Sequence, residues 1–124
     1  MKRLFVSAAA LPLMFAAQGH AETKISTATT APVRTSTVAD GQPDSITIET
    51  AGSITPTVAG PAVTIDSSHA VTSNGAINFT GVNGAIGVQL NGGVTTTLNN
   101  AGSISLTEDY TAEDSDNDGD RDGP

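Results

Sequence analysis

From Ser45 onward, short β-branched runs sit between Gly, Asn and Ser turns: SITIET, GSITPTVAG, PAVTID, HAVTS, GAINFT, GAIGVQL, GVTTTLNN and GSISLT. Ile46-Thr47-Ile48 and Val63-Thr64-Ile65 alternate apolar with polar side chains, which puts every second residue on one face of a strand. No window in this region carries helical spacing, and both Gly and β-branched residues disfavour a helix. The pattern predicts an all-β body over residues 45–107.

These strands also repeat. Aligning Gly52, Gly75 and Gly102 brings together the strings AGSIT, NGAIN and AGSIS, with Ile54, Ile77 and Ile104 two residues beyond each glycine. Ile48, Val71 and Leu98 lie four residues before the same glycines and form a second expected ladder. The first glycine interval is 23 residues and the second is 27; GPAVTI at 60–65 and NGAIGV at 83–88 also fall 23 apart.

A period in the twenties with short strands and turn punctuation points to a solenoid. One such unit cannot bury its aliphatic face alone. Stacked units place Ile on Ile inside, leave Thr, Ser and Asn outside, and pair their backbones at about 4.8 Å. Ala62 and Ala85 suit a narrow interior, and Gly and Asn at corners tolerate left-handed backbone. The expected fold is therefore a parallel β-helix of about three coils. An antiparallel sandwich of short strands is the competing reading, disfavoured by the repeated strings. Solenoids need caps, and the closing Asp-Gly-Pro carries none that is recognisable, so the sequence reads as the start of a longer design.

Outside the repeat, three segments differ in character. Residues 1–21 begin with Lys2 and Arg3, continue through an uncharged, mostly apolar stretch from Leu4 to Ala17, and end with Gly19 and Ala21 at the −3 and −1 positions of a cut before Glu22. This predicts a cleavable secretory signal peptide. The apolar stretch is shorter than the about 20 residues a membrane-spanning helix needs, so no transmembrane span is expected. Residues 22–44 are rich in Thr, Ser and Ala, with Pro32 and Pro43 as breakers, and read as a leader or an N-terminal cap. Residues 108–124 form an acidic, Asp-rich loop.

Charge separates that loop from the body. The chain carries 13 acidic and 5 basic residues. Removal of residues 1–21 leaves Lys24, Arg34 and Arg121 against all 13 acids, a net charge of −10. Eight of the acids lie between Glu108 and Asp122. Clustered Lys and Arg are missing, so nucleic acid is not an expected partner. There is no cysteine, which rules out disulfides and thiolate metal sites.

Within the tail, Asp114, Asp116, Asp118 and Asp122 with Gly119 give the spacing D-x-D-x-D-G-x-x-D. Calcium takes six to eight oxygens, and alternating carboxylates around a turn-forming Gly can supply several of them. These four residues are the candidate calcium ligands. An EF-hand loop is a poor match. Arg121 stands where that loop places an aliphatic residue, and its twelfth-position acid would fall beyond Pro124. The spacing more closely resembles the calcium loops of thrombospondin type 3 repeats, without their cysteines. A solvated, self-repelling acidic loop is the alternative reading.

No catalytic residues are expected. His69 is the one histidine beyond residue 21, in Asp66-Ser67-Ser68-His69. A triad needs its members to converge from separate elements, which four neighbouring residues cannot do. An exposed corner between two coils is the expected setting. Gly-x-Ser-x-Gly, His-Glu-x-x-His and phosphate-loop motifs are all missing. Asn78-Phe79-Thr80 fits a glycosylation sequon, but Phe79 is expected to be a packed or edge aromatic.

A signal peptide, a Thr/Ala-rich leader, repeated AGSI and NGAI strings and an acidic D-x-D-x-D-G stretch together resemble the N-terminal end of Gram-negative autotransporter passenger domains. The resemblance spans the whole chain, through motifs of low complexity. It implies type V secretion: passage through the inner-membrane export machinery, then display of a β-helix at the outer membrane and cell surface. The leading expectation is a non-enzymatic surface scaffold used for adhesion or surface display, its polar Thr/Asn exterior meeting a host-cell or matrix surface through many weak contacts. The departure is the translocator barrel, whose alternating strands of about 10 residues do not occur in these residues. By themselves these residues would reach the periplasm. A small secreted calcium-binding protein acting through the Asp-rich loop is the alternative.

Overall fold

The computed structural model describes residues 22–109, 111, 112, 114 and 116–119. The expected signal peptide, residues 1–21, lies outside the described residues.

Among the described residues, eleven short strands wind into stacked coils. The first coil holds β1 (Thr23–Ile25), β2 (Ala28–Thr29) and β3 (Val33–Arg34). The second holds β4 (Ile46–Ile48), β5 (Ser53–Ile54) and β6 (Gly60–Ile65). The third holds β7 (Val71–Ser73), β8 (Ala76–Thr80) and β9 (Ala85–Leu90), and a fourth begins with β10 (Leu98–Asn100) and β11 (Ser103–Thr107). Each strand pairs in parallel with its counterpart one coil away. The result is three sheets, β1-β4-β7-β10, β2-β5-β8-β11 and β3-β6-β9. This is the expected parallel β-solenoid of about three turns. Residues 22–44, read as a leader or cap, contribute β1, β2 and β3 to it.

The interior is narrow and aliphatic. Ile46, Ile48, Ile54, Ala62, Val63, Ile65, Val71, Ile77 and Phe79 are buried and form one core. Ile25, Val33, Val38, Val82, Ala85 and Val88 close its edges. Alternation does the sorting: in β4 and β7 the first and third residues are buried while Thr47 and Thr72 between them are half-exposed. Burying one such aliphatic side chain stabilises by about 1.5–3 kcal/mol. Leu98, Ile104 and Leu106 occupy the same inward register in the fourth coil but are exposed, because no described coil covers them.

The glycine ladder has a steric cause. Gly52, Gly75 and Gly102 are packed so tightly on the preceding coil that an added Cβ would overlap a backbone carbonyl, that of Ile25, Gly52 and Gly75 respectively. Only glycine fits such a close backbone approach. Ile54, Ile77 and Ile104 stack as expected.

Two expected registers are corrected. The aliphatic rung that precedes the glycines is Ile46, Val71 and Leu98, not Ile48, Val71 and Leu98; Ile48 pairs instead with Ser73, and Ser73 with Asn100. The cause is the turn Glu49–Gly52, closed by the Gly52 N–H on the Glu49 carbonyl at 2.8 Å. It places four residues between β4 and β5, where only Asn74 and Gly75 separate β7 from β8. Counting back from glycine across that insertion slides the rung by two, an even number that keeps the inward face and so hides the slip. The third sheet is out by the same amount: Gly60 pairs with Ala85 and Val63 with Val88, an interval of 25 residues rather than 23. The two residues missing from the first corner of the third coil reappear at its second corner, so β4 to β7 and β6 to β9 are both offset by 25.

Candidate functional site

Among the described residues no cavity is found. Three features of the surface have chemistry: a polar ladder, a carboxylate clasp and the acidic loop.

The ladder follows from the alternation that builds the core. On the outer face of the first sheet, Lys24, Thr47, Thr72 and Asn99 are successive partners, one per coil. Lys24 pairs with Glu49 at 3.6 Å and the Thr47 hydroxyl donates to the Glu22 carboxylate. Exposed ion pairs of this kind contribute little to stability. Their significance is a regular polar strip at the strand spacing of about 4.8 Å.

The clasp centres on Asp66, which follows β6. Its carboxylate accepts the Ser36 backbone N–H at 3.0 Å, the Ser36 hydroxyl at 2.9 Å and the Thr35 hydroxyl at 3.3 Å, and Arg34 approaches to 3.5 Å. The buried Thr35 hydroxyl in turn accepts the backbone N–H groups of Asp66 and Ser67 at 3.0 and 3.1 Å. Burial acts to raise the Asp66 pKa. The hydroxyl and amide of Ser36, the Arg34 guanidinium and the Thr35 hydroxyl act the other way, and the carboxyl lies below its ordinary value.

The expected corner at 66–69 is present, but of its four residues only Ser68 is exposed. That corrects the exposed setting read from the sequence, and the cause is the clasp, which draws Asp66 against the first coil. Ser67 Oγ lies 3.2 Å from His69 Nδ1, while the Asp66 carboxylate is engaged by the first coil. Linear pattern gave no sign of this clasp, since Thr35 and Asp66 are 31 residues apart.

The acidic segment leaves the solenoid beside the third coil. Asn83 grips Asp109 in both directions: its side-chain amide donates to the Asp109 carbonyl at 3.3 Å and its side-chain oxygen accepts the Asp109 N–H at 3.1 Å. The Gly84 N–H donates to Glu108 at 3.1 Å. Farther on, Asp114, Asp116 and Asp118 are exposed, and one carboxylate oxygen from each comes within 4.8 Å of the others. Asp114 accepts the N–H groups of Asp118 and Gly119 at 3.1 and 3.2 Å. Asn117 and Gly119 take left-handed backbone, which turns the chain back on itself. The fourth candidate ligand, Asp122, lies outside the described residues. Hard carboxylate oxygens around a tight turn fit calcium in kind.

No family model, no curated protein and no solved structure matches this chain. Among the described residues, no helix is long and apolar enough to cross a membrane.

Proposed function

We propose that this chain is an exported, non-enzymatic surface scaffold, the opening coils of an autotransporter passenger, used for adhesion or surface display by type V secretion. The observation that supports this most is the in-register polar ladder Lys24–Thr47–Thr72–Asn99. A stiff solenoid repeats one shallow polar strip coil after coil, so many weak contacts with a sugar or matrix surface add up. The partners are the inner-membrane export machinery and then a host-cell or matrix surface. As part of a full autotransporter the coils stand on the outer membrane; alone they stop in the periplasm.

Expression in a Gram-negative host tests export directly. Processing before Glu22 and recovery of the product beyond the inner membrane are expected. Retention of an uncut chain in the cytoplasm would refute the proposal. Adhesion is tested by applying the purified product to immobilised matrix proteins and glycans, where saturable retention lost in Thr47→Ala/Thr72→Ala is expected.

The convergence of Asp114, Asp116 and Asp118 within 4.8 Å favours a second reading, a calcium-binding protein acting through its loop. Under that reading calcium titration of the whole chain gives heat that Asp114→Asn/Asp116→Asn abolishes, and chelation changes the circular dichroism spectrum. A β spectrum indifferent to chelator favours the scaffold.

A further inference from the structure

We propose that Asn91-Gly92 is a self-modifying site, where the Gly92 backbone nitrogen closes on the Asn91 side-chain amide and converts it to an acid while the coils stay folded. Three Asn-Gly pairs occur in the chain: Asn74-Gly75, Asn83-Gly84 and Asn91-Gly92. Their intrinsic reactivity is shared. The glycine has no Cβ to shield its nitrogen or restrict its rotation, and attack on the neighbouring side chain is intramolecular, closing a succinimide ring. The fold separates the three.

Two of the pairs are locked. Gly75 is buried, and the Gly52 and Glu49 carbonyls lie so close that an added Cβ would overlap both. The amides on either side of it are bonded, Asn74 N–H to the Ile48 carbonyl at 2.8 Å and Ala76 N–H to the Gly52 carbonyl at 3.2 Å. That peptide cannot turn its nitrogen toward the Asn74 side chain. At the second pair both reacting groups are engaged: the Gly84 N–H donates to Glu108, and the Asn83 side chain holds both backbone groups of Asp109.

The third pair is open. Residues 91–97 join β9 to β10, a corner two residues longer than residues 66–70 between β6 and β7. Gly92 and Gly93 are exposed in it, and Gly93 takes left-handed backbone. Nothing lies within 4 Å of a Cβ placed on Gly92, and the Gly92 N–H has no hydrogen-bond partner among the described residues. Asn91 itself is anchored, its N–H donating to the Ile65 carbonyl at 2.9 Å. Gln89 Nε2 donates to Asn91 Oδ1 at 2.9 Å. That donor draws charge from the side-chain carbonyl and stabilises the oxyanion that attack creates.

The reaction consumes only water. Hydroxide takes the Gly92 amide proton, the nitrogen bonds to Asn91 Cγ, and the Cγ–Nδ2 bond breaks with release of ammonia. Water then opens the ring at either carbonyl, which restores the N–H and leaves aspartate or isoaspartate. The new charge has a defined neighbour. Ile65 pairs with Leu90, so Asn91 stands one coil from Asp66, at a strand spacing of about 4.8 Å. A carboxylate there sets like charge beside the corner that the Asp66 clasp closes.

Incubation of the whole chain at mildly alkaline pH, followed by peptide mapping with mass detection, tests the assignment. In the folded protein Asn91 should convert about tenfold or more faster than Asn74 or Asn83, giving both aspartate and isoaspartate. In urea the three rates should converge, because only the shared Asn-Gly chemistry then remains. Gly92→Ala should slow conversion of Asn91 by about tenfold or more while leaving the melting temperature nearly unchanged, since the added methyl shields the nitrogen but touches nothing. Gln89→Ala should slow it several-fold. No conversion of Asn91, equal rates at the three sites in the folded protein, or a lead for Asn91 that persists in urea would overturn the proposal. So would a Gln89→Ala rate equal to or above that of the parent.

Discussion

Ser73 lies directly on Ile48 in the first sheet, and its hydroxyl is buried without a hydrogen-bond partner among the described residues. It is the one polar rung in the buried part of a ladder that is otherwise apolar. A buried hydroxyl that finds no partner costs about 1–3 kcal/mol. Ser73→Ala removes that group with little change of shape. We expect it to stabilise the fold by about 1 kcal/mol, or roughly 4–8 °C in melting temperature for a domain of this size. Calorimetry on the two proteins checks it, and an unchanged or lower midpoint contradicts the buried placement.

Gly75 is expected to be the least replaceable residue of the repeat. An alanine methyl there overlaps the Gly52 carbonyl and approaches the Glu49 carbonyl, both backbone, so neither can rotate away. Gly75→Ala should destabilise by about 3 kcal/mol, the upper end of ordinary overpacking. Gly92→Ala is the control: nothing lies within 4 Å of its added methyl, and its backbone is not left-handed. Equal denaturation midpoints for the two variants would remove the glycine ladder as a steric device.

Burial along the isoleucines of the second sheet sets a gradient that mutation can read. Ile77 is fully buried between Ile54 and Ile104, whereas Ile104 is 39 % exposed. Ile77→Ala should cost about 2–5 kcal/mol, as large-to-small changes in packed cores do. Ile104→Ala should cost well under half of that. Urea denaturation of both proteins tests the gradient, and similar losses would mean that the last coil is covered.

The sequence showed these ladders unevenly, for reasons that particular residues make clear. Gly52, Gly75 and Gly102 were legible because sterics leave no alternative at a backbone–backbone contact, and the Ile54, Ile77 and Ile104 positions followed at a fixed offset. Ile48 aligns with Val71 in sequence because the Glu49–Gly52 turn adds two residues, and an even slip leaves the apolar pattern intact. The Asp66 clasp is not legible in the sequence, since a hydrogen bond to a residue 31 positions away leaves no local trace. Loop spacing did identify Asp114, Asp116 and Asp118 as neighbours, because alternating residues around a glycine turn converge whatever the body does.

Asp66 gives the solenoid an acid-sensitive joint between its first two coils. Against the opposing effect of burial, its folded pKa lies below the ordinary carboxylate value, held there by the Ser36 hydroxyl and amide, the Arg34 guanidinium and the Thr35 hydroxyl. A depressed carboxylate contributes stability that is fully present above its unfolded pKa and is lost as pH falls through the folded value. Asp66→Asn should therefore lower the melting temperature at pH 7. The gap from the parent protein should narrow steadily below about pH 4 as the parent carboxylate protonates. Comparing the pair cancels the background that the two proteins share. A gap that stays constant from pH 7 to pH 2.5 would show that the charge of Asp66 contributes nothing.

Asn83 sets where the acidic segment begins to move away from the coils. Its side chain satisfies both backbone groups of Asp109, and Gly84 holds Glu108 alongside. These bonds are exposed, so each contributes at most about 1 kcal/mol net, and Asn83→Ala should leave the global midpoint almost unchanged. The local effect should be larger. Freed from Asn83, the chain from Glu108 onward opens without unfolding the core, and such low-energy openings are what proteases sample. Limited digestion with a glutamate-specific protease should cut after Glu108 several-fold faster in Asn83→Ala than in the parent, with the coils left intact. Equal cleavage rates would mean that Asn83 does not tether the segment.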